Sequence, residues 1–226
     1  MRQFMKHILM AFSACLVVTA GVASAQTGTV WPDKAPEKWG LAILDVETTG
    51  LQPGHHEMID IGLIYTDLDG NEIARFYTRI MPDFPERASA GAVAVNAFSE
   101  ERWKALGAVS EAEAAELLLA FHEAHRGDRV WMIAALNSWF DAAFLQAFLA
   151  EEGYSSRDLY HYHVLDIPSM AWGDGAMGVT SSVLAAHYGL PDETRVPEEH
   201  TGATGAAFNL ALYQAIVKRR NGERVD

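Results

Sequence analysis

Ile43-Leu44-Asp45-Val46-Glu47-Thr48-Thr49-Gly50-Leu51 is the stretch around which the chain is organised. An apolar run from Leu41 to Leu44 leads into two acids one residue apart, and Thr48-Thr49-Gly50 breaks the run. Residues i and i+2 of a β-strand point to the same face. Asp45 and Glu47 are therefore expected to project together from the end of a mostly buried strand. Two carboxylates held close repel each other unless something neutralises them. A divalent cation does so, and Mg²⁺ or Mn²⁺ prefers oxygen ligands. A solvated strand end with two ordinary surface acids fits the same residues, so partners must come from elsewhere in the chain.

Working outward, Trp39 to Val46 reads as the first strand and Met58 to Thr66 as the second. Asp67-Leu68-Asp69-Gly70-Asn71 is turn chemistry, and Glu72 to Met81 completes a hairpin. Ala88 to Asn96 is rich in small residues and ambiguous, and Ser99 opens a short polar helix through Leu106. Ser110 with Glu113 matches a capping box. The helix it opens runs to about His125, with Ala114, Leu117, Leu118 and Phe121 at helical spacing. Val130 to Ala135 reads as a buried fourth strand, followed by a helix capped by Asn137 or Ser138 and running through Glu152. Tyr160 to Leu165, ending at Asp166, is the expected fifth strand. A short helix from Thr180 to Tyr188 closes at Gly189, and the last helix runs from His200 to about Arg220. A hairpin of strands followed by strands separated by helices implies an α/β fold with a mixed five-stranded sheet. Ligands of such sheets sit at the carboxyl ends of the strands, where Asp45, Glu47 and the Leu136-Asn137 turn all fall.

The ends bound the setting. Arg2 and Lys6 precede an apolar run from Ile8 to Ala20, and Val22-Ala23-Ser24-Ala25 offers a small-x-small cleavage site, the pattern of a secretory signal. Residues 1–25 are read as that signal, 26–38 as a linker with two prolines, 39–220 as the folded domain and 221–226 as a tail. The expected location is periplasmic or secreted, with an uncleaved membrane anchor as the alternative. Cys15, the only cysteine, lies in the signal, so the mature chain has no disulfide, thiolate metal site or cysteine nucleophile. Loss of Arg2 and Lys6 makes the formal net charge of −13 more negative by a further two units. An acidic protein gains little non-specific phosphate attraction. Nucleic acid, if handled, would be gripped over a short stretch or an end.

Two further candidates join the opening pair. Asp141 lies on the first turn of the helix after the fourth strand, in Asn137-Ser138-Trp139-Phe140-Asp141. It either complements the helix dipole or adds a third carboxylate to a metal pocket. His200, before the last helix, is either an ordinary exposed histidine or a base whose unperturbed pKa suits neutral pH.

In the order Asp45-x-Glu47-Thr48-Thr49-Gly50, Asn137-x-x-x-Asp141 and His200, the chain resembles the DEDDh (DnaQ-like) 3′–5′ exonucleases of the ribonuclease H-like superfamily. Glu57-Met58-Ile59-Asp60-Ile61-Gly62, Ala92 to Ser99, Val164-Leu165-Asp166 and Val183 to Leu190 resemble supporting stretches. The likeness spans roughly Trp39 to Val217. It implies a sheet whose first three strands are antiparallel and whose last two run parallel to the first. It also implies two Mg²⁺ or Mn²⁺ ions held by Asp45, Glu47 and Asp141, with His200 as general base. Thr48, Thr49, Leu51 and Asn137 would meet the 3′-terminal nucleotide of single-stranded DNA or RNA or of a short oligonucleotide. The family's last motif carries an Asp five residues after its His; here that position is Gly205. A metal ligand is thereby missing. Asp166, Glu198 and Glu199 are the acids considered as replacements, and Gly202 with Gly205 is expected to loosen the first turn of the last helix. The implied activity is a metal-dependent 3′–5′ exonuclease weakened by that loss. The alternative is a degenerate domain that binds nucleic acid, nucleotides or a protein partner.

Overall fold

The structure, a computed structural model, describes residues 35–222. The expected signal, most of the linker and the last four residues lie outside the described residues. A short 3₁₀ turn, Pro36–Lys38, leads into β1 (Trp39–Thr48), β2 (Met58–Thr66) and β3 (Glu72–Arg79). Then come α1 (Ala90–Asn96), α2 (Glu100–Ala105), α3 (Glu111–His125), β4 (Val130–Ala135) and α4 (Ser138–Glu151). The chain closes with α5 (Ser156–Leu159), β5 (Val164–Asp166), α6 (Ile167–Gly173), α7 (Ser181–Tyr188) and α8 (Gly202–Arg220).

The five strands form one sheet in the order β3-β2-β1-β4-β5. β1, β2 and β3 pair antiparallel, and β4 and β5 run parallel to β1. This is the mixed α/β sheet implied by the pattern of strands and helices. Every residue of β2 is buried, as its near-continuous apolar run requires of a strand covered on both faces. Alternate side chains of β1 feed two cores. Leu44 and Val46 pack with α3 and α4 residues such as Leu118, Phe144 and Phe148. Leu41 and Ile43 pack with Leu184, Tyr188, Leu212 and Tyr213 of α7 and α8.

Four local expectations change. The fifth strand is Val164–Asp166, not Tyr160 to Leu165, because Tyr160 instead turns into the first core. α6 is an added helix, started by Asp166, whose carboxylate accepts from the Ser169 amide, with Pro168 in the first turn. The last helix begins at Gly202, so His200 precedes it. Its first turn is not loose. Thr201 and Thr204 form a capping box, and Gly202 lies so close to Gly62 of β2 that a Cβ on Gly62 would come within 1.9 Å of the Gly202 carbonyl oxygen. The glycines there serve close approach of helix to sheet.

Within the first core, the Tyr65 hydroxyl lies 2.6 Å from His122 Nδ1 and donates to the Tyr160 hydroxyl at 3.2 Å. Burial, followed by the Arg126 charge, pushes the His122 pKa down to about 4 from its ordinary 6.5. The unfolded chain therefore takes up this proton first. The stability that neutral His122 contributes is complete above pH 6.5 and is lost as pH falls from there toward 4. Urea midpoints measured from pH 7 to pH 4 should fall more steeply for the native chain than for His122→Gln. Parallel curves would mean that another group controls this limb.

Candidate active site

The β1–β4 pairing ends at Ile43↔Ala134, and beyond it the two strands part. The Val46 amide, no longer facing β4, donates to Asp141 Oδ1 on the first turn of α4 at 3.1 Å. Strand separation thus admits Asp141 beside the end of β1. On β1, Asp45 pairs with Gly62 and Glu47 with Asp60, placing both acids on the face covered by α8. Asp60 is fully buried and accepts from the Gly202 amide at 2.7 Å and the Tyr77 hydroxyl at 2.8 Å. It therefore ties the start of α8, and His200 just before it, to the sheet. Asn96, at the end of α1, donates to Glu47 Oε2 at 3.3 Å and to the Thr48 carbonyl at 3.1 Å.

Asp45, Glu47, Asn96, Asp141 and His200 line one cleft of about 490 Å³. Asp45, Glu47, Asp141, Glu193 and His200 form its polar wall, and Leu51, Val95, Leu136 and Phe140 its apolar wall. Among the described residues no Lys or Arg lines it. Burial, then the Asp141 and Glu47 charges, hold the Asp45 carboxyl well above the usual range. Burial and the Asp60 charge push Glu47 up to about 8, against the Asn96 hydrogen bond. Burial pushes Asp141 up to about 8 as well, against the Val46 amide. Such shifts are those of buried carboxyls with no Lys or Arg beside them. The donor set of clustered oxygens with no protein cation fits a hard divalent ion. Among the described residues no three acids or histidines converge as a preformed cage, so the side chains would have to close around an ion.

His200 is held from both nitrogens. Its Nδ1 lies 3.2 Å from the Thr194 carbonyl, which can only accept, so Nδ1 carries the hydrogen. Nε2 lies 3.2 Å from Glu47 Oε1. Glu193 Oε1 stands 4.0 Å from Nδ1.

Of the residues expected at the nucleotide, Thr48 and Leu51 line the cleft, and Leu51 is 76% exposed. Thr49 is buried, with its hydroxyl accepting from the Glu57 amide. Asn137 is exposed, in a left-handed conformation at the N-cap of α4, and is absent from the cleft wall. The acids considered as replacements lie elsewhere. Asp166 accepts from the Ser138 and Ser169 amides, and Glu198 and Glu199 are exposed outside the cleft. Glu193, on the irregular loop between α7 and α8, carries no periodicity or motif that marks it in the sequence.

The sequence matches the family described as "Exonuclease" (RNase_T) over residues 42–207. The chain belongs to this DnaQ-like exonuclease family. Among curated proteins the sequence has no significant match. The zinc-bound complex of Escherichia coli exonuclease I with single-stranded DNA is similar at 16% identity and a TM-score of 0.66, over 81% of this chain and 41% of that one. A product-bound exonuclease I is similar at 16% identity and a TM-score of 0.64, over 82% of this chain and 44% of that one. The chain thus spans less than half the length of exonuclease I, and at this identity the likeness is one of fold.

Gly205 lies on the first turns of α8 facing Asp45. A Cβ built there would stand 2.1 Å from Asp45 Oδ2. The Asp45 carboxyl therefore occupies the space of a position-205 side chain. Gly205→Ala improves helix propensity by about 1 kcal/mol, but the methyl group meets this carboxyl. Urea denaturation of the metal-free protein should show none of that gain. Stabilisation by the full amount would show that Asp45 turns aside freely.

Proposed function

We propose that the protein is a divalent-metal-dependent 3′–5′ exonuclease acting on single-stranded ends. The observation that carries this reading is the meeting of Asp45, Glu47, Asp141 and His200 in one cleft without a protein cation, beside an exposed apolar wall. Family membership supports nuclease chemistry. The single-stranded DNA seen in the exonuclease I complex supports the choice of substrate.

On this reading Asp45, Glu47 and Asp141 hold the ions. Bound there, the ions would polarise the scissile phosphate and ease deprotonation of water. Thr194 fixes the tautomer of His200, leaving the Nε2 lone pair to take the proton of the attacking water. Without an ion, that lone pair faces Glu47 Oε1, a contact that is favourable when a proton sits between them. The raised pKa of Glu47 supplies one. Ion binding at Glu47 would displace this proton and free Nε2 for its role. Leu51, Val95 and Phe140 offer apolar surface to a terminal base, and Thr48 lies at the same wall. The leader ending at Ala25 would put this activity outside the cytoplasm.

A second reading has one observation in its favour. Asp45 leans over Gly205, where the family's motif has a ligand. In that reading the cleft binds ends without cutting them.

The full chain, given 3′-labelled single-stranded DNA or RNA and Mn²⁺ or Mg²⁺, should release labelled mononucleotide. Asp45→Ala should lower the rate by about 100-fold or more, beyond the range for loss of an outer partner of a metal ligand. Silence of the native chain, with release by Gly205→Asp, would overturn the hydrolytic reading in favour of end binding.

A further inference from the structure

α8 brings no acid to the cleft, because position 205 is glycine and the Asp45 carboxyl fills the space above it. Two divalent ions carry one more positive charge than Asp45, Glu47 and Asp141 can balance. The missing charge stands nearby on another element. Glu193 lines the same cleft, and its side chain is only 11% exposed. Its carboxylate has one ion-pair partner among the described residues, His200 at 4.0 Å.

The loop that carries Glu193 is tied on both sides. Before it, Asp192 Oδ2 accepts from the Ser182 hydroxyl at 2.7 Å, and Arg195 donates to Asp192, Ser181 and Ser182. After it, the Thr194 carbonyl accepts from His200. Asp192 and Arg195 fasten the loop to α7, and Thr194 fastens it to His200. Between them Glu193 is turned inward, while Asp192 and Arg195 remain exposed. A largely enclosed carboxylate whose cationic neighbours are a histidine 4.0 Å away and the exposed Arg195 is costly unless something else pairs with it.

We propose that Glu193 is a metal-ligating carboxylate of this cleft, supplied by the α7–α8 loop in place of an acid at position 205. The inference rests on the metal-dependent reading above and fails separately from it. Its chemistry is that of the vacated position: one oxygen ligand and one negative charge near the histidine that takes the proton. It reaches the cleft from the loop side instead of from the helix, so it does not compete with Asp45 for space.

The test is Mn²⁺ titration calorimetry on the full-length, metal-free protein, comparing native, Glu193→Gln and the exposed control Glu198→Gln. Native and Glu198→Gln should bind alike, and Glu193→Gln at least about 10-fold more weakly. The metal-free thermal midpoint of Glu193→Gln should match or exceed that of the native chain, since a buried like charge is gone. Equal Mn²⁺ affinity in all three overturns the inference while leaving the metal-dependent reading intact. No Mn²⁺ uptake by the native chain overturns the metal-dependent reading and the inference with it. Unchanged affinity with a displaced pH–rate profile makes Glu193 a positioning residue for His200, and the ligand assignment falls. Should Glu193→Gln not fold, Glu193→Asp, which keeps the charge on a shorter arm, takes its place. Weaker binding by Glu193→Asp upholds the inference, and native-like binding overturns it.

Discussion

Burial of neighbouring carboxyls at the end of β1 is the constraint around which this structure is arranged. Asp45, Glu47 and Asp141 meet at the wall of one cleft, Asp45 half-buried and the other two buried, and each is pushed toward its protonated form. A chain selected only for stability would place neutral or apolar side chains here, because a buried charge without a partner costs several kcal/mol. The protein instead surrounds the acids with partial compensation. Val46 donates an amide to Asp141, Asn96 donates to Glu47, and His200 faces Glu47. None of these carries a permanent positive charge, so the compensation stays incomplete and the cleft keeps its demand for a cation.

The fold supplies the rigidity that holds such repelling groups together. The β1–β2 ladder runs to Thr48, past the point where β4 departs. One side of β1 is therefore fixed while the other opens for Asp141. On the opposite flank, α8 is pressed onto β2 through the Gly62–Gly202 contact, and buried Asp60 accepts the Gly202 amide. Asp60 is itself an acid pushed up to about 6 by burial, against the Tyr77 hydrogen bond. It spends its acceptor capacity on the helix start and on Tyr77 instead of on the cleft. The position of His200 follows from this anchor and from Thr194, not from the helix itself.

Much of this arrangement is legible in the sequence, and the reasons are local. The apolar run of β2 and the Ser110 N-cap of α3, whose hydroxyl accepts from the Glu113 amide, each satisfy a short-range rule that tertiary packing did not override. Asp45 and Glu47 share a face because strand periodicity requires it. The fifth strand was obscured because Tyr160, His161 and Tyr162 have strand-like composition, whereas Tyr160 packs inward and the ladder with β4 begins only at Val164. α6 carried a readable signal in Asp166 followed by Pro168. Gly202 and Gly205 show a deeper limit. Helix propensity makes both unfavourable, and only the approach of β2 to Gly202 and of the Asp45 carboxyl to Gly205 reveals what a side chain at each would meet. Glu193 had no periodic signal at all. Its place in the cleft follows from how the α7–α8 loop is tied to Ser181, Ser182 and His200, contacts that follow no helical or strand period.

The acidic balance of the whole chain bears on how such a cleft meets its substrate. With a net charge of −13, the protein offers little long-range attraction to a polyanion. A phosphodiester entering a wall of carboxyls adds negative charge to a place already short of positive charge. Without an ion, substrate and cleft repel each other. On the proposed reading, with ions seated, the same carboxyls would become the means by which the phosphate is held. On the proposed reading, ion and substrate binding are therefore coupled, and each should strengthen the other. The apolar wall of Leu51, Val95 and Phe140 has the complementary part. It can hold an unstacked terminal base without charge, and a duplex interior offers no such base. On that reading, a preference for frayed or single-stranded ends would follow from the electrostatics of the cleft together with the one surface in it that does not depend on the ion.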